Sequence, residues 1–189
     1  LDNEQDMRKM GGLIRFLPFT FFAFLVGSLS LLGFPFFSGF YSKDNILEHA
    51  YLAHTYSGYL GFVLGLLSVF FTAFYSFRLL YMVFFSVYRG PAVKRIHEPP
   101  IYMTLSLAIL IVPSVTFGFI FYSFFVGEVQ TVFWFDSIYI KPVVTENFEL
   151  NNLVSVLPLF FSFSGFLMSY YVYNYSLDLS YFRIYQFVF

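Results

Sequence analysis

Most of the side chains able to hold or move a proton within the apolar part of this chain fall in one short stretch. Ser42-Lys43-Asp44-Asn45 is followed within one or two helical turns by Glu48 and His49. Burying a charge at membrane depth costs about 2.5–3.5 kcal/mol even on the gentle insertion scale, so such a pair needs a reason to be there. The carboxylate of Asp44 favours a charged lysine and burial favours a neutral one, and this opposition can hold Lys43 near a working pH. Lys43 and Asp44 are therefore the candidates for proton transfer. Glu48 and His49 are candidates for extending a path from Lys43 to one surface, and a solvated helix end explains them equally well.

A plainer reading competes with this one. Lys43 could snorkel at a membrane boundary while Asp44 caps a following helix, since Ser42, Asp44 and Asn45 are all good N-cap types. The backbone just upstream separates the two readings. Gly33, Pro35, Ser38 and Gly39 weaken the hydrogen-bond ladder immediately before the charged cluster, and a simple anchor does not need a weakened backbone. Free backbone groups at membrane depth are tolerated only against protein or a wet cavity, so the stretch reads as a broken helix facing the interior.

Outside this cluster the chemistry is sparse. Arg78 shares a helical stripe with Tyr75 and Tyr81, where it could stack on aromatic rings or hold backbone carbonyls. His97-Glu98-Pro99-Pro100 reads as a loop leading into a helix. The three histidines, His49, His54 and His97, form no metal-ligand pattern, and the absence of cysteine excludes disulfides, thiol nucleophiles and cysteine-ligated clusters from these 189 residues. A net charge of -1 gives no electrostatic reason to expect nucleic acid.

The elements that position these residues must lie in lipid. Hydrophobic residues make up 59% of the chain and charged ones 11%, less than half of what a soluble domain carries, and several apolar runs are long enough for a bilayer. The expected fold is all-α and polytopic, with about five transmembrane helices near 13–32, 33–53, 57–87, 101–126 and 153–174, the second of them broken. Pro18 falls within the first turns of the first helix, and Arg15 can snorkel. The stretches 88–100 and 127–150, the latter with Trp134 among its charges, read as extramembrane loops. Tyr170, Tyr171, Tyr173 and Tyr175 mark an aromatic belt at the end of the fifth helix, ahead of a short mixed tail. Five crossings would put the Asp2–Gly12 segment and the end of the fifth helix on opposite faces. Lys and Arg counted on alternate sides balance, so charge assigns no orientation. Together the 189 residues read as one membrane-embedded piece, internal to a longer protein or separately encoded.

Four ordered stretches resemble the antiporter-like membrane subunits of respiratory NADH dehydrogenase, complex I. They are Asp2-Asn3-Glu4-Gln5-Asp6-Met7-Arg8-Lys9-Met10-Gly11-Gly12, Gly33-Phe34-Pro35 through Gly39-Phe40-Tyr41-Ser42-Lys43-Asp44, Phe74-Tyr75-Ser76-Phe77-Arg78 and His97-Glu98-Pro99-Pro100. Within that family Ser-Lys-Asp points to the largest member. The resemblance implies that Lys43 is the last lysine of a chain of proton half-channels and that the chain is a non-redox part of NADH:ubiquinone oxidoreductase in the mitochondrial inner membrane. It implies that NADH, FMN, iron–sulfur clusters and ubiquinone belong to partner subunits, with no cofactor held here. It also implies other membrane-arm subunits as partners, among them a chain supplying upstream helices, together with lipids. Two other readings stay open on the residues alone: a subunit of a multi-subunit cation/proton antiporter, and a structural membrane subunit that transports nothing.

Overall fold

The computed structural model describes residues 6–87, 98–125 and 152–188, together with Ile96 and Ser137, and side chains in the last helix as far as Asn174. The expected loop 127–150, apart from Ser137, and loop 88–100 ahead of Glu98, apart from Ile96, lie outside the described residues. Five α-helices are seen among the described residues: α1 (Pro18–Leu32), α2 (Asn45–Leu52), α3 (Tyr56–Leu80), α4 (Ile101–Phe125) and α5 (Asn152–Val188). Three helical stretches, Tyr56–Phe85, Ile101–Tyr122 and Val154–Asn174, are long and apolar enough to cross a membrane. The chain is a polytopic helical membrane protein.

Local chemistry sets the helix limits. A short 3-10 turn, Leu13–Arg15, precedes α1, which begins at Pro18 because proline lacks the N–H that an earlier start would require. Gly33 ends α1 in the left-handed conformation, φ 76°, and two bonds close the helix: Gly33 N–H to Ser30 O, and Phe34 N–H to Leu29 O. This is a Schellman cap, which leaves the carbonyls of the last turn in need of other donors. Pro35 and Phe36, the latter at φ 74°, carry the chain through an irregular turn, so the helical ladder is broken just after Leu32. Helical backbone resumes at Ser38, passes through a π-helical turn over Phe40–Asp44 and continues as α2. A second π turn, Tyr81–Phe85, follows α3. The helical backbone of α5 runs on past Tyr173, where the tyrosine belt suggests the span ends, and reaches Val188.

The halves α1 and α2 lie end to end along α3 rather than side by side. At one end of α3, Tyr51 meets Phe62 with ring centroids 5.2 Å apart, and Leu47 packs where Gly65 lacks a side chain. At the other end Phe21 and Phe24 meet Phe84 at 5.1 and 6.0 Å. The interruption therefore sits beside the middle of α3, between these two ends. The five expected helices are present, and α1 and α2 are each shorter than a hydrocarbon core of about 30 Å. Gly11, packed against Val87, and Asn174, bonded to Tyr81, fall at the same end of α3.

Helix α5 packs along α3 through small residues. A methyl group on Gly165 would sit 2.5 Å from Phe70 O, and Ser169, fully buried, donates to Phe74 O at 3.0 Å. Close backbone approach of this kind holds helices together in lipid, where the hydrophobic effect between them is absent. Leu47, Phe62, Leu66, Val69 and Val154 form the buried core that joins α2, α3 and α5.

Candidate functional site

The break places Lys43 at the open end of α1. Its Nζ donates to Leu31 O at 3.4 Å, one of the carbonyls that the Schellman cap leaves over. A cation belongs there twice over, as hydrogen-bond donor and as partner to the negative end of the helix dipole. The approach of the two half-helices depends on Gly39, since any side chain there would collide with Ser30 O. Ser30 Oγ and Ser38 Oγ lie 3.1 Å apart across the break and form a hydroxyl pair beside the ammonium.

The π turn aims these groups. A wider turn leaves backbone acceptors for side chains to use: Asn45 donates to Tyr41 O, and Ser42 Oγ lies within donating distance of Ser38 O and Gly39 O, at 3.3 and 3.4 Å. Asp44 points back toward the break. A side chain added at Gly33 would begin 3.5 Å from Asp44 Oδ1, and Asp44 Oδ2 is buried with no hydrogen-bond partner. A buried carboxylate oxygen left unsatisfied is costly, and such atoms concentrate where a proton, water or ion is exchanged.

Lys43 lines a cleft of about 810 Å³ between α1, the π turn and α4. Its polar lining comes from Ser30, Ser38, Tyr41, Ser42 and Ser114, within walls supplied mainly by apolar residues of α1 and α4. A second cavity of about 480 Å³ lies between α1, α3 and α4 and carries Thr20, Ser28 and Ser76. Gly27 lines both, and nothing lies within 4 Å of the position where its side chain would begin.

The other residues singled out from the sequence lie apart from the cleft. Glu48 accepts from Ser155 Oγ of α5 at 2.9 Å, and His49 Nδ1 pairs with Asn45 O at 2.8 Å. Arg78 stacks on the Tyr173 ring, 5.7 Å to its centroid, so its aromatic partner comes from α5 rather than from its own helix. Two functional features escape sequence reasoning. The hydroxyls of Ser30, Ser38 and Ser114 carry no motif of their own, although Ser30 and Ser38 flank the break at its two ends. Glu98 proves to cap α1 from 79 residues away, with its carboxylate accepting from Phe19 N at 2.9 Å and Thr20 Oγ1 at 3.0 Å.

The chain is thus a helical membrane protein built around an interrupted helix, with a lysine on a carbonyl at the break, an arrangement that recurs at ion sites in membrane transporters. The family model for NADH:quinone oxidoreductase/Mrp antiporter, TM, matches residues 2–75. NADH-ubiquinone oxidoreductase chain 5 of Phytophthora infestans is 44% identical over 179 residues, covering 92% of this chain and 27% of that protein. The proteins of the same name from Marchantia polymorpha and Schizophyllum commune are each 43% identical, over 90% and 91% of this chain and 26% of theirs. The chain belongs to the NADH-ubiquinone oxidoreductase chain 5 family and spans about a quarter of the length of the curated relatives it matches.

Proposed function

We propose that the chain is a proton-translocating segment of the membrane arm of NADH:ubiquinone oxidoreductase in the mitochondrial inner membrane, with Lys43 as the exchanging group and Asp44 as its charge partner. The observation that carries this reading is the position of Lys43: at a helix break beside the middle of α3, on a leftover carbonyl, and facing a mainly apolar cleft that carries serine and tyrosine hydroxyls. A snorkelling lysine would lie at a helix end next to the headgroups instead. The names of the relatives support the respiratory reading over a free-standing cation/proton antiporter, while the matching family model spans both.

In this reading the work is electrostatic. Moving one charge through 100 mV takes about 2.3 kcal/mol, equivalent to a change of somewhat under two units in the proton affinity of a lysine. Breaking and remaking the Lys43–Leu31 contact, with Asp44 alongside, is the chain's own means of altering that affinity. Redox chemistry, with its NADH, FMN, iron–sulfur clusters and ubiquinone, belongs to partner subunits. Glu48, bonded to Ser155 of α5, and His49 form the further route away from Lys43.

The test is Lys43→Met in the assembled complex, reconstituted in vesicles and read as protons moved per NADH oxidised. The expected result is a clear drop in that ratio with NADH oxidation retained. Lys43→Arg should also impair pumping, because a guanidinium could still cap α1 but does not release its proton at accessible pH. If Lys43→Arg pumped normally, Lys43 would be a helix cap rather than the exchanging group.

A further inference from the structure

α1 has charged groups of opposite sign at its two ends, and neither is local in sequence. Leu17, at its N-cap, has no side-chain acceptor, and Pro18 at the first helical position leaves Phe19 as the first residue with an N–H in need of a partner. Glu98 supplies what Leu17 cannot, reaching both the Phe19 N–H and the Thr20 hydroxyl. An anion at that end satisfies free donors and complements the positive end of the helix dipole. At the far end, Lys43 meets Leu31 O.

Glu98 is itself tied to α4. Pro99 and Pro100 restrict the backbone directly after it, and Pro100 O accepts from Met103 N and Thr104 N in the first turn of α4. α4 then runs beside α1 and touches the resumed helix, where Gly118 has no side chain to collide with Ser38 and Tyr41. α1 is thus clamped to α4 at its start through Glu98, and the same helix α4 supports the backbone that carries Lys43.

The geometry points to Glu98 as a positioning residue for the Lys43 site: by fixing the start of α1 against α4, it sets where Leu31 O stands relative to the lysine ammonium. This rests on the proposed role of Lys43. A helix of 15 residues is a stiff rod about 22 Å long, so an axial shift at Phe19 arrives largely undiminished at Leu31. Glu98 touches no transported proton, and its effect passes through α1.

The experiment replaces Glu98 by Ala and by Gln in the complete complex and measures three quantities: assembled complex, NADH oxidation rate and protons moved per NADH. Glu98→Ala should lower the proton ratio at least twofold in complex that assembles and oxidises NADH. Glu98→Gln, with one acceptor and no charge, should fall between Ala and the parent. A merely structural Glu98 would reduce the amount of complex and leave the ratio of the surviving complex unchanged, and that result would overturn the inference. Should Glu98→Ala fail to assemble, Thr20→Val removes one of the two donors within α1. Parental ratios in both Thr20→Val and Glu98→Gln would then overturn it, and a lowered ratio in either supports it. A Lys43→Met control separates the two claims: if it pumps normally the reading of Lys43 fails first, and if it does not while Glu98→Ala does, only the positioning role fails.

Discussion

The two sides of α3 are built on different rules. Toward α5 the contact is close and continuous, with Gly165 against the Phe70 carbonyl, Ser169 bonded to Phe74 O and Phe77 edge-on to Phe166 at 4.7 Å. Toward α1 and α4 the packing opens into two cavities that adjoin at Gly27, both with mainly apolar walls, the one beside Lys43 carrying several hydroxyls. The difference teaches where a membrane protein puts rigidity and where it puts chemistry. Backbone-to-backbone contact through small residues leaves no room for water, whereas a broken helix beside a cleft supplies free carbonyls and space for a proton carrier.

The largest expected effect in this comparison lies on the tight side. Gly165→Leu places branched carbon where Phe70 O and the Ala73 methyl already sit, 2.5 and 3.0 Å from the new Cβ, so α3 and α5 must separate. Overpacking of this kind costs about 1–3 kcal/mol or more when backbone must move. The amount of assembled complex on a native gel should fall severalfold, while the complex that survives retains its protons per NADH. A lowered ratio with full assembly would mean that the α3·α5 contact takes part in transport and that the division drawn here is false.

A smaller effect is expected on the open side from Asp44→Asn. It alters the electrostatic setting of Lys43 without removing the titrating group, and an amide can donate a hydrogen bond that the carboxylate cannot. Pumping should be lowered, but by less than in Lys43→Met, with assembly unchanged. Loss as complete as that of Lys43→Met would make Asp44 the essential exchanger and Lys43 its partner.

How much of this was legible from sequence follows from the range of the interactions involved. Gly33 and Pro35 declare the break locally, because backbone conformation there is decided by the residues themselves, whereas Gly39 lies in the resumed helix and serves the close approach to Ser30. The aromatic partner of Arg78 was legible only as a type, since stacking needs a ring but not a particular one, and Tyr173 came from another helix. The end-to-end placing of α1 and α2 was not legible: apolar length alone cannot tell helices side by side from helices in line, and only packing along α3 decides it. Glu98 was hidden for a further reason. Its neighbours Pro99 and Pro100 advertise a loop, while its partners at Phe19 and Thr20 are 79 and 78 residues away and one of them is a backbone N–H, which no side-chain pattern records.

The smallest expected effect, and the sharpest probe of the open side, is at Gly27. Glycine inside a helix costs about 0.5–1 kcal/mol relative to alanine, so this position in α1 is a weakness unless the space beside it is used. Nothing lies within 4 Å of where its side chain would begin, and both cavities border it. Gly27→Ala should therefore be accepted without strain, slightly stabilising α1 against thermal unfolding of the purified complex and leaving protons per NADH unchanged. Gly27→Leu, in contrast, fills the junction with an apolar side chain and should lower pumping if the two cavities act as one wet route past α1. Equal, parental pumping by both variants would show that the junction carries no protons and would confine the working space to the cleft beside Lys43. A loss already with Gly27→Ala would mean that a single methyl group blocks the route, making the junction its narrowest point.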